Sequence, residues 1–406
     1  MNKVLDKCET SQIMAKQASK QASKQASRVI TLESQIDEDE ITDAIKSVFD
    51  YEPENGIVSE QILIPVFPKD FSIGLIVGSS GSGKSTIASY AFSKPNSAEW
   101  EHGKSIASHF STIKEASERF GAVGLNSIPT WLKPYHVLSN GEKFRADLAR
   151  QLGDNAVIDE FTSVVNREVA MSCSVSISKY IRNNGLKNVV FCSCHDDIIA
   201  YLQPDWVYNT DTHEFYNGRY LQRPKITLNV YGCSAKIWDM FKRHHYLSGD
   251  INKAATCYIA VLNDDPVAFA AILPLPSGTL KHAYREHRVV VLPDFQGMGI
   301  GNAFSEMLGE AYHLAGCRYF CKTANPRMGI HRDNSDKWKA TSKNHVLRPD
   351  YLKQQKHNFH NMLNNSIMHV NRDCFSHEYI GDGKEYPFTL NQKTATGVQL
   401  TIFDFL

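Results

Sequence analysis

Gly78-Ser79-Ser80-Gly81-Ser82-Gly83-Lys84-Ser85-Thr86 comes directly after the apolar run Ile73-Gly74-Leu75-Ile76-Val77. A buried strand that feeds a glycine-rich turn ending in Gly-Lys-Ser, with a helix behind it, is the arrangement that cradles phosphate. Gly78, Gly81 and Gly83 allow successive N–H groups, with those of Ser79 and its neighbours, to turn toward one anion. Lys84 reaches the outer phosphates, the Ser85 hydroxyl is a Mg2+ ligand, and the helix running through Thr86 points its positive end inward. These residues specify a nucleoside triphosphate site, and they set the first half of the chain as an α/β nucleotide-binding domain.

Working outward, Val29-Ile30-Thr31-Leu32 and Ile62-Leu63-Ile64-Pro65-Val66 read as earlier strands, and Ala156-Val157-Ile158 and Val189-Val190-Phe191 as buried parallel strands. This domain spans 28–222, ending where Asn217-Gly218-Arg219 makes a turn. A second, α+β unit spans 223–385. It opens with the strand Ile226 to Val230 and a helix from Ser234 to His244, followed by strands Cys257 to Leu262 and Val267 to Leu273 around Asn263-Asp264-Asp265-Pro266. The strand Arg288 to Leu292, a glycine turn and a helix Asn302 to Ala315 come next. A polar, His- and Asn-rich stretch near 337–371 reads as an insertion before a last strand, Phe375 to Ile380. Outside these domains, 1–27 is a low-complexity tail holding three copies of Lys-Gln-Ala-Ser from Lys16 to Ser27, and 386–406 reads as a flexible tail.

With 406 residues, 42% hydrophobic and 22% charged, the chain is long enough for two ordinary cores. Lys plus Arg and Asp plus Glu both total 44, so a nucleic-acid surface would have to be a local patch. No stretch approaches the roughly 18 to 20 apolar residues of a membrane span, and the N-terminus lacks an apolar signal segment, which gives the expectation of a soluble cytoplasmic protein with no membrane partner. The nine cysteines are scattered; Cys192-Ser193-Cys194 and the pair Cys317 and Cys321 lack the second half of a zinc site and read as reduced core thiols. The histidines of the polar insertion have no convincing ligand spacing and read as surface residues.

Three further elements follow the phosphate loop in order: Leu138-Ser139-Asn140-Gly141-Glu142-Lys143 opening a helix, Ala156-Val157-Ile158-Asp159-Glu160 ending a strand, and His195 after the strand that reaches Cys194. Together they resemble the ABC-type ATPases over residues 28–222. The resemblance implies ATP as ligand and ATP hydrolysis as activity. It puts Asp159 with Ser85 in the Mg2+ shell, Glu160 as general base on the attacking water, and His195 at the γ-phosphate. It also implies that Ser139, Gly141 and Glu142 complete the ATP site of a second copy in a head-to-tail homodimer. The bland alternative is that Ser139 to Glu142 is only a helix cap. Asn166, in Thr162-Ser163-Val164-Val165-Asn166, departs from the family's usual Asp, and the family's glutamine-bearing loop has no identifiable counterpart. The interval from Lys84 to Ser139 is short, which points to a small helical subdomain and to the soluble members of the family rather than to transport.

Gln296-Gly297-Met298-Gly299-Ile300-Gly301 follows Arg288-Val289-Val290-Val291-Leu292 and opens the next helix. A lone GxGxxG is weak, since a dinucleotide site and a plain turn also produce it. The form Gln-x-x-Gly-x-Gly after a strand resembles the GNAT acyltransferases, in which this loop binds the pyrophosphate of acetyl-CoA or another acyl-CoA. Tyr319, Asn325 and Arg327 beyond the loop and Glu286 and His287 before it are candidates for the transfer chemistry, with Tyr319 placed in the catalytic set beside Glu160 and His195. His244-His245-Tyr246 lines a substrate cleft or packs in the core. With Trp131-Leu132-Lys133-Pro134-Tyr135-His136 and Leu202-Gln203-Pro204-Asp205-Trp206, the order of these elements resembles a phage and prokaryotic group that joins an ABC-type ATPase to a GNAT domain.

The terminal Gln399-Leu400-Thr401-Ile402-Phe403 resembles the peptides by which replication proteins dock on the bacterial sliding clamp, through Gln399, Leu400, Ile402 and Phe403; a terminal strand on the chain's own surface is the alternative. Three functions stay open: an ATP-dependent N-acyltransferase acting on DNA, a nucleotide-switched nucleic-acid or clamp module whose GNAT domain does not catalyse, and an ATP-regulated acetyltransferase for protein or small molecules.

Overall fold

The computed structural model describes residues 28–51, 57–218, 226–245, 249–346, 348–349, 371–372, 374–381 and 398–401. These fall into two compact units, Met1–Leu125 with Thr130–Pro224, and Asn126–Pro129 with Lys225–Leu406.

In the first unit β1 (Arg28–Gln35) and β2 (Ile57–Ile64) pair antiparallel, with the helix Glu40–Phe49 between them. The central sheet has the order β4 (Val157–Ile158), β5 (Val189–Ser193), β3 (Ile73–Val77), β6 (Trp206–Asn209), β7 (Phe215–Asn217); the first four strands are parallel and β7 runs against β6. Every residue of β3 is buried, as expected of a strand covered on both faces. Its period of two distributes the side chains: Ile73, Leu75 and Val77 join Phe120, Ala146, Phe161, Ile177 and Phe191, while Ile76 joins Val190, Trp206, Tyr208 and Ile87 on the other face. Gly74 lets Trp206 close on the strand, since a Cβ there would lie 2.1 Å from the indole Cζ2.

The helices Ile113–Ala122, Asn140–Gln151 and Arg167–Asn183 pack on the first of these faces. Asn166 is the N-cap of Arg167–Asn183, its Oδ1 accepting the Val169 N–H at 2.9 Å, so the residue that departs from the family pattern has a local capping role.

The second unit is an eight-stranded sheet in the order β13 (Trp338–Ala340), β16 (Phe375–Tyr379), β12 (Arg318–Thr323), β11 (Ala283–Val291), β10 (Asp265–Pro274), β9 (Thr256–Leu262), β8 (Thr227–Cys233), β17 (Val398–Thr401). A separate two-stranded pair joins β14 (Arg348–Pro349) to β15 (Asn371–Arg372). Asn263 and Asp264 both have positive φ (50° and 73°), the geometry of a tight two-residue hairpin between β9 and β10. The helix Ile300–Leu314 is buried all round from Ala303 to Tyr312, and Ile300, Ala303, Phe304, Met307, Leu308 and Tyr312 share one core with Val267, Ala268, Ala270 and Ile272 of the sheet.

Three sequence expectations change. The helix from Ser234 to His244 is broken into one α-turn, Trp238–Phe241, flanked by 3₁₀ turns Ala235–Ile237 and Lys242–His244; Trp238 and Phe241 enter a core cluster, with Ile237 packed against it. The strand expected from Arg288 begins at Ala283, its charged first half hidden from a hydropathy reading. The segment 398–401, left in a flexible tail by sequence, pairs with β8, Gln399 opposite Asn229 and Leu400 opposite Leu228. Ile402 and Phe403, like most of the polar insertion, lie outside the described residues.

Candidate functional site

β5 lies between β3 and β4, so three parallel strands deliver their carboxyl ends side by side: Gly78 from β3, Cys194 and His195 from β5, Asp159 and Glu160 from β4. Residues far apart in sequence thus arrive at one edge of the sheet, where open α/β sheets bind ligands. Gly83 is the N-cap of the helix Lys84–Ala91 with φ 82°, and no side chain caps that helix. Ser79, Ser80, Gly81 and Ser85 are exposed, with Thr86 half-buried behind them. The Lys84 ammonium donates to the carbonyl of Gly78 at 2.9 Å and to that of Ser79.

Asp159 is half-buried and takes the Glu160 N–H on Oδ1 at 2.9 Å. Glu160 is exposed with φ 49°, uncommon for a residue bearing a Cβ, and Thr162 repeats this with φ 72°. The turn is pinned from beneath: buried Phe161 donates its N–H to Cys192 O at 2.7 Å, and Ser163 Oγ donates to Glu160 O at 2.6 Å. His195 donates its N–H to Ser193 Oγ at 3.0 Å. Burial, with Arg167 adding, pushes the pKa of its imidazole down from the ordinary histidine value.

Ser139 caps the helix Asn140–Gln151 in a reciprocal box with Glu142: Glu142 N–H to Ser139 Oγ at 3.3 Å, Ser139 N–H to Glu142 Oε2 at 2.9 Å. Burial raises the Glu142 pKa, but the Ser139 N–H and the Thr130 hydroxyl (2.9 Å) outweigh it and hold the carboxyl below its usual range. The cap reading of this segment is therefore satisfied in full, and it accounts for Ser139 and Glu142. It does not account for Gly141, where a Cβ would meet nothing within 4 Å.

In the second unit, Gln296 is held by its Nε2 donating to Val291 O at 2.9 Å, and Met298 and Ile300 are buried in the core. Gly297 and Gly299 have φ 91° and 92°, and Gly299 is the N-cap of Ile300–Leu314, again with no side-chain cap. Gly301 sits against Val291, a Cβ there lying 3.3 Å from Cγ2. The other five described helices of eight residues or more are capped by their own side chains: Asp39, Thr112, Ser139, Asn166 and Asn325. The two that leave their first N–H groups uncapped are the two that follow the glycine loops.

Beside this second loop the sheet opens. β11 pairs parallel with β12 only from Ala283 to Arg285, although β11 runs on to Val291 and β12 to Thr323. The β10 register slips between Ala271 and Ile272, opposite Arg288 and Glu286, so His287 is the extra residue of a bulge. Burial, then Arg288 and Arg285, pushes the His287 imidazole down to about 4.

Tyr319 takes a different place from the one its sequence position suggested. It is fully buried, its hydroxyl donates to Glu286 Oε1 at 3.1 Å, and burial with the Glu286 charge drives its pKa well above normal. The structure thus gives it a core position and a hydrogen-bond role within the Glu286 network. Glu286 is locked in the same network: Arg332 donates to it at 2.9 and 3.2 Å, Ser305 Oγ donates to Oε1, and the Arg332 guanidinium lies 4.4 Å from the Trp338 ring centre. Asn325 caps the helix Pro326–Asp333 by accepting the N–H groups of Arg327 and Met328. His244 accepts from Arg243 Nε at 3.0 Å and His245 sits edge-on to Trp238, while Tyr246 lies outside the described residues.

Two features escaped the sequence reading. Asp211, which hydrogen-bonds the phosphate loop, is visible only once β6 is known to neighbour β3. Arg332 offers no sequence signal, since its partner Glu286 lies on a distant strand.

Among solved structures, the ribosomal-protein-S18-alanine N-acetyltransferase of Escherichia coli is similar at 12% identity, over 39% of this chain and 99% of that one, with a TM-score of 0.28. A Bacillus subtilis acetyltransferase in complex with CoA is similar at 14% identity over 37% of this chain and 97% of that one, TM-score 0.28. A dimeric ATP-binding cassette bound to ADP and Pi is similar at 14% identity over 39% of this chain and 89% of that one, TM-score 0.30. No curated protein matches the chain. A family model does: residues 253–334 match the acetyltransferase (GNAT) domain.

Proposed function

We propose that the chain is a two-site protein: an ABC-type ATPase unit binding ATP with Mg2+, and an N-acyltransferase unit using acetyl-CoA or another acyl-CoA. The observation that carries this reading is the pair of uncapped helix N-termini, each behind a glycine loop with left-handed glycines at its end. Such ends keep N–H donors free for an anion. The match of residues 253–334 to the GNAT domain supports the second site, whose loop would hold the CoA pyrophosphate through Gln296 to Gly301.

At the first site, Ser85 and Asp159 offer the oxygen donors Mg2+ prefers, with phosphate and water supplying the rest. Glu160, exposed at a strained turn and free to face a water, is the general base of the proposed hydrolysis, with His195 as partner to the γ-phosphate. Gly141 supports the head-to-tail dimer. A glycine in a first helical turn costs up to about 1 kcal/mol against alanine, and nothing within its own unit requires it. Close approach by a phosphate bound to a second copy does. The pairing of β17 with β8 favours the terminal-strand reading of Gln399 and Leu400 over sliding-clamp docking.

DNA is the acceptor we propose, on the resemblance to soluble ABC proteins that act on nucleic acid. The deciding experiment incubates the protein with labelled acetyl-CoA, with and without ATP and duplex DNA, alongside Lys84→Ala and Gly299→Val. Label on DNA that requires Gly299 supports the reading. Label on protein alone removes DNA as acceptor, and label that survives Gly299→Val removes the acyl-CoA assignment.

A further inference from the structure

The turn between β6 and β7 holds the leading limb of the phosphate loop. Asp211, exposed in that turn, accepts the Ser79 N–H on Oδ2 at 2.8 Å and the Ser79 hydroxyl on Oδ1 at 2.8 Å. Beside it, Thr210 Oγ1 lies 2.6 Å from Ser82 Oγ and donates to Val77 O at 3.1 Å. The fit is close enough that a Cβ on Gly78 would fall 1.9 Å from Thr210 Oγ1. Because a trans peptide points its N–H and C=O in opposite directions, the Gly78–Ser79 peptide is gripped from both sides: its N–H by Asp211, its carbonyl by the Lys84 ammonium at 2.9 Å. The next carbonyl, Ser79 O, accepts from Lys84 and from Ser82 Oγ.

We infer that Asp211 is a positioning residue of the nucleotide site, fixing the Gly78–Ser79 peptide plane and, through its carbonyl, the place from which Lys84 reaches the phosphates. This deepens the ATP reading above and rests on it. A carboxylate beside a polyanion site is unfavourable by charge alone, so simple electrostatics and the positioning role predict opposite signs for its removal. Charge-assisted hydrogen bonds are the stronger kind, and two of them converge on one residue of the loop.

The test compares Asp211→Ala and Asp211→Asn in the full chain, by titration with a fluorescent ATP analogue and by amide hydrogen exchange without nucleotide. Asp211→Ala should weaken analogue binding about tenfold and speed exchange across 78–83. Asp211→Asn keeps an acceptor for the Ser79 N–H and should stay within about threefold of the parent in both readouts. Tighter binding by Asp211→Ala, or unchanged exchange, overturns the inference; so does an Asn variant as impaired as the Ala variant. If the parent protein binds no analogue, the nucleotide reading fails and takes the assigned role with it. The exchange measurement would still separate that failure from the absence of a latch.

Discussion

Glu286→Ala should destabilise the second unit far more than an ordinary substitution, and the structure sets the size. Arg332 has 1% of its side chain exposed and Glu286 8%, so removing the carboxylate strands a buried guanidinium that keeps Ser305 Oγ (2.7 Å), the Cys321 thiol and the Trp338 face as neutral partners. Breaking a buried pair on one side costs about 3–5 kcal/mol. The Tyr319 hydroxyl, also fully buried, loses its acceptor for about 1–3 kcal/mol more. Against a domain stability of about 5–15 kcal/mol, the unit should be close to unfolding. Replacing both partners, Glu286→Leu with Arg332→Met, removes the uncompensated charge and should recover most of the loss. Urea unfolding followed by circular dichroism gives the energies, and hydrogen exchange of the helix Ile300–Leu314 reports the unit concerned. A single-variant cost below about 1 kcal/mol, or a double variant no better than Glu286→Ala, would refute the reasoning. The double variant also separates roles: if it folds yet transfers no acetyl group, Glu286 takes part in the chemistry as well as the fold.

His287 titrates near 4 in the folded chain against an ordinary 6.5, so between those values the unfolded state binds more protons and stability falls as pH drops through the window. His287→Gln should flatten that part of a stability-versus-pH curve; an unchanged slope would assign it to other groups. Gly299→Val places a β-branched residue at φ 92° and should weaken CoA binding by more than tenfold in calorimetry, whereas unaltered affinity would remove the loop from the site. Gly141→Asp has open space in the first turn of its helix, where an acidic side chain suits the positive end, so the melting temperature should hold while ATP-induced dimerisation of a Glu160→Gln background, read by light scattering, is lost. Dimerisation that persists would return Gly141 to the role of a plain helix residue.

The first glycine loop was legible because its residues are contiguous: strand, glycines, Lys84 and Ser85 lie in one short stretch. Asp159 and His195 were legible as strand-end residues, but the placement of β5 between β3 and β4 is a long-range property that no local pattern encodes. Tyr319 shows where the reading stopped short. Arg318–Thr323 alternates, with Tyr319 and Cys321 buried and Arg318 and Lys322 exposed, so a period-two reading would have sent the tyrosine inward. The start of β11 was hidden for a related reason: Arg285 and Glu286 look like a loop until Arg332, on a helix beyond the next strand, is there to pair with Glu286.

The two glycine loops share a device and differ in what surrounds it, and the difference bears on the anion each suits. In the first, the lysine at the first helical position folds back on the carbonyls of Gly78 and Ser79, so the loop carries its own cation, exposed serines on either side and strand-end carboxyl groups from β4. That combination matches a chain of several phosphates with a divalent cation, where charge must be neutralised along its length. In the second, Met298 and Ile300 are sunk into the core and the helix start offers uncapped N–H groups and the macrodipole. On the proposed reading, backbone donors of this kind suit a diphosphate already shared within a larger ligand, whose remaining length is bound elsewhere. β11 and β12 stop pairing beyond Arg285, and on the proposed reading the opening between them is where the rest of such a ligand would lie.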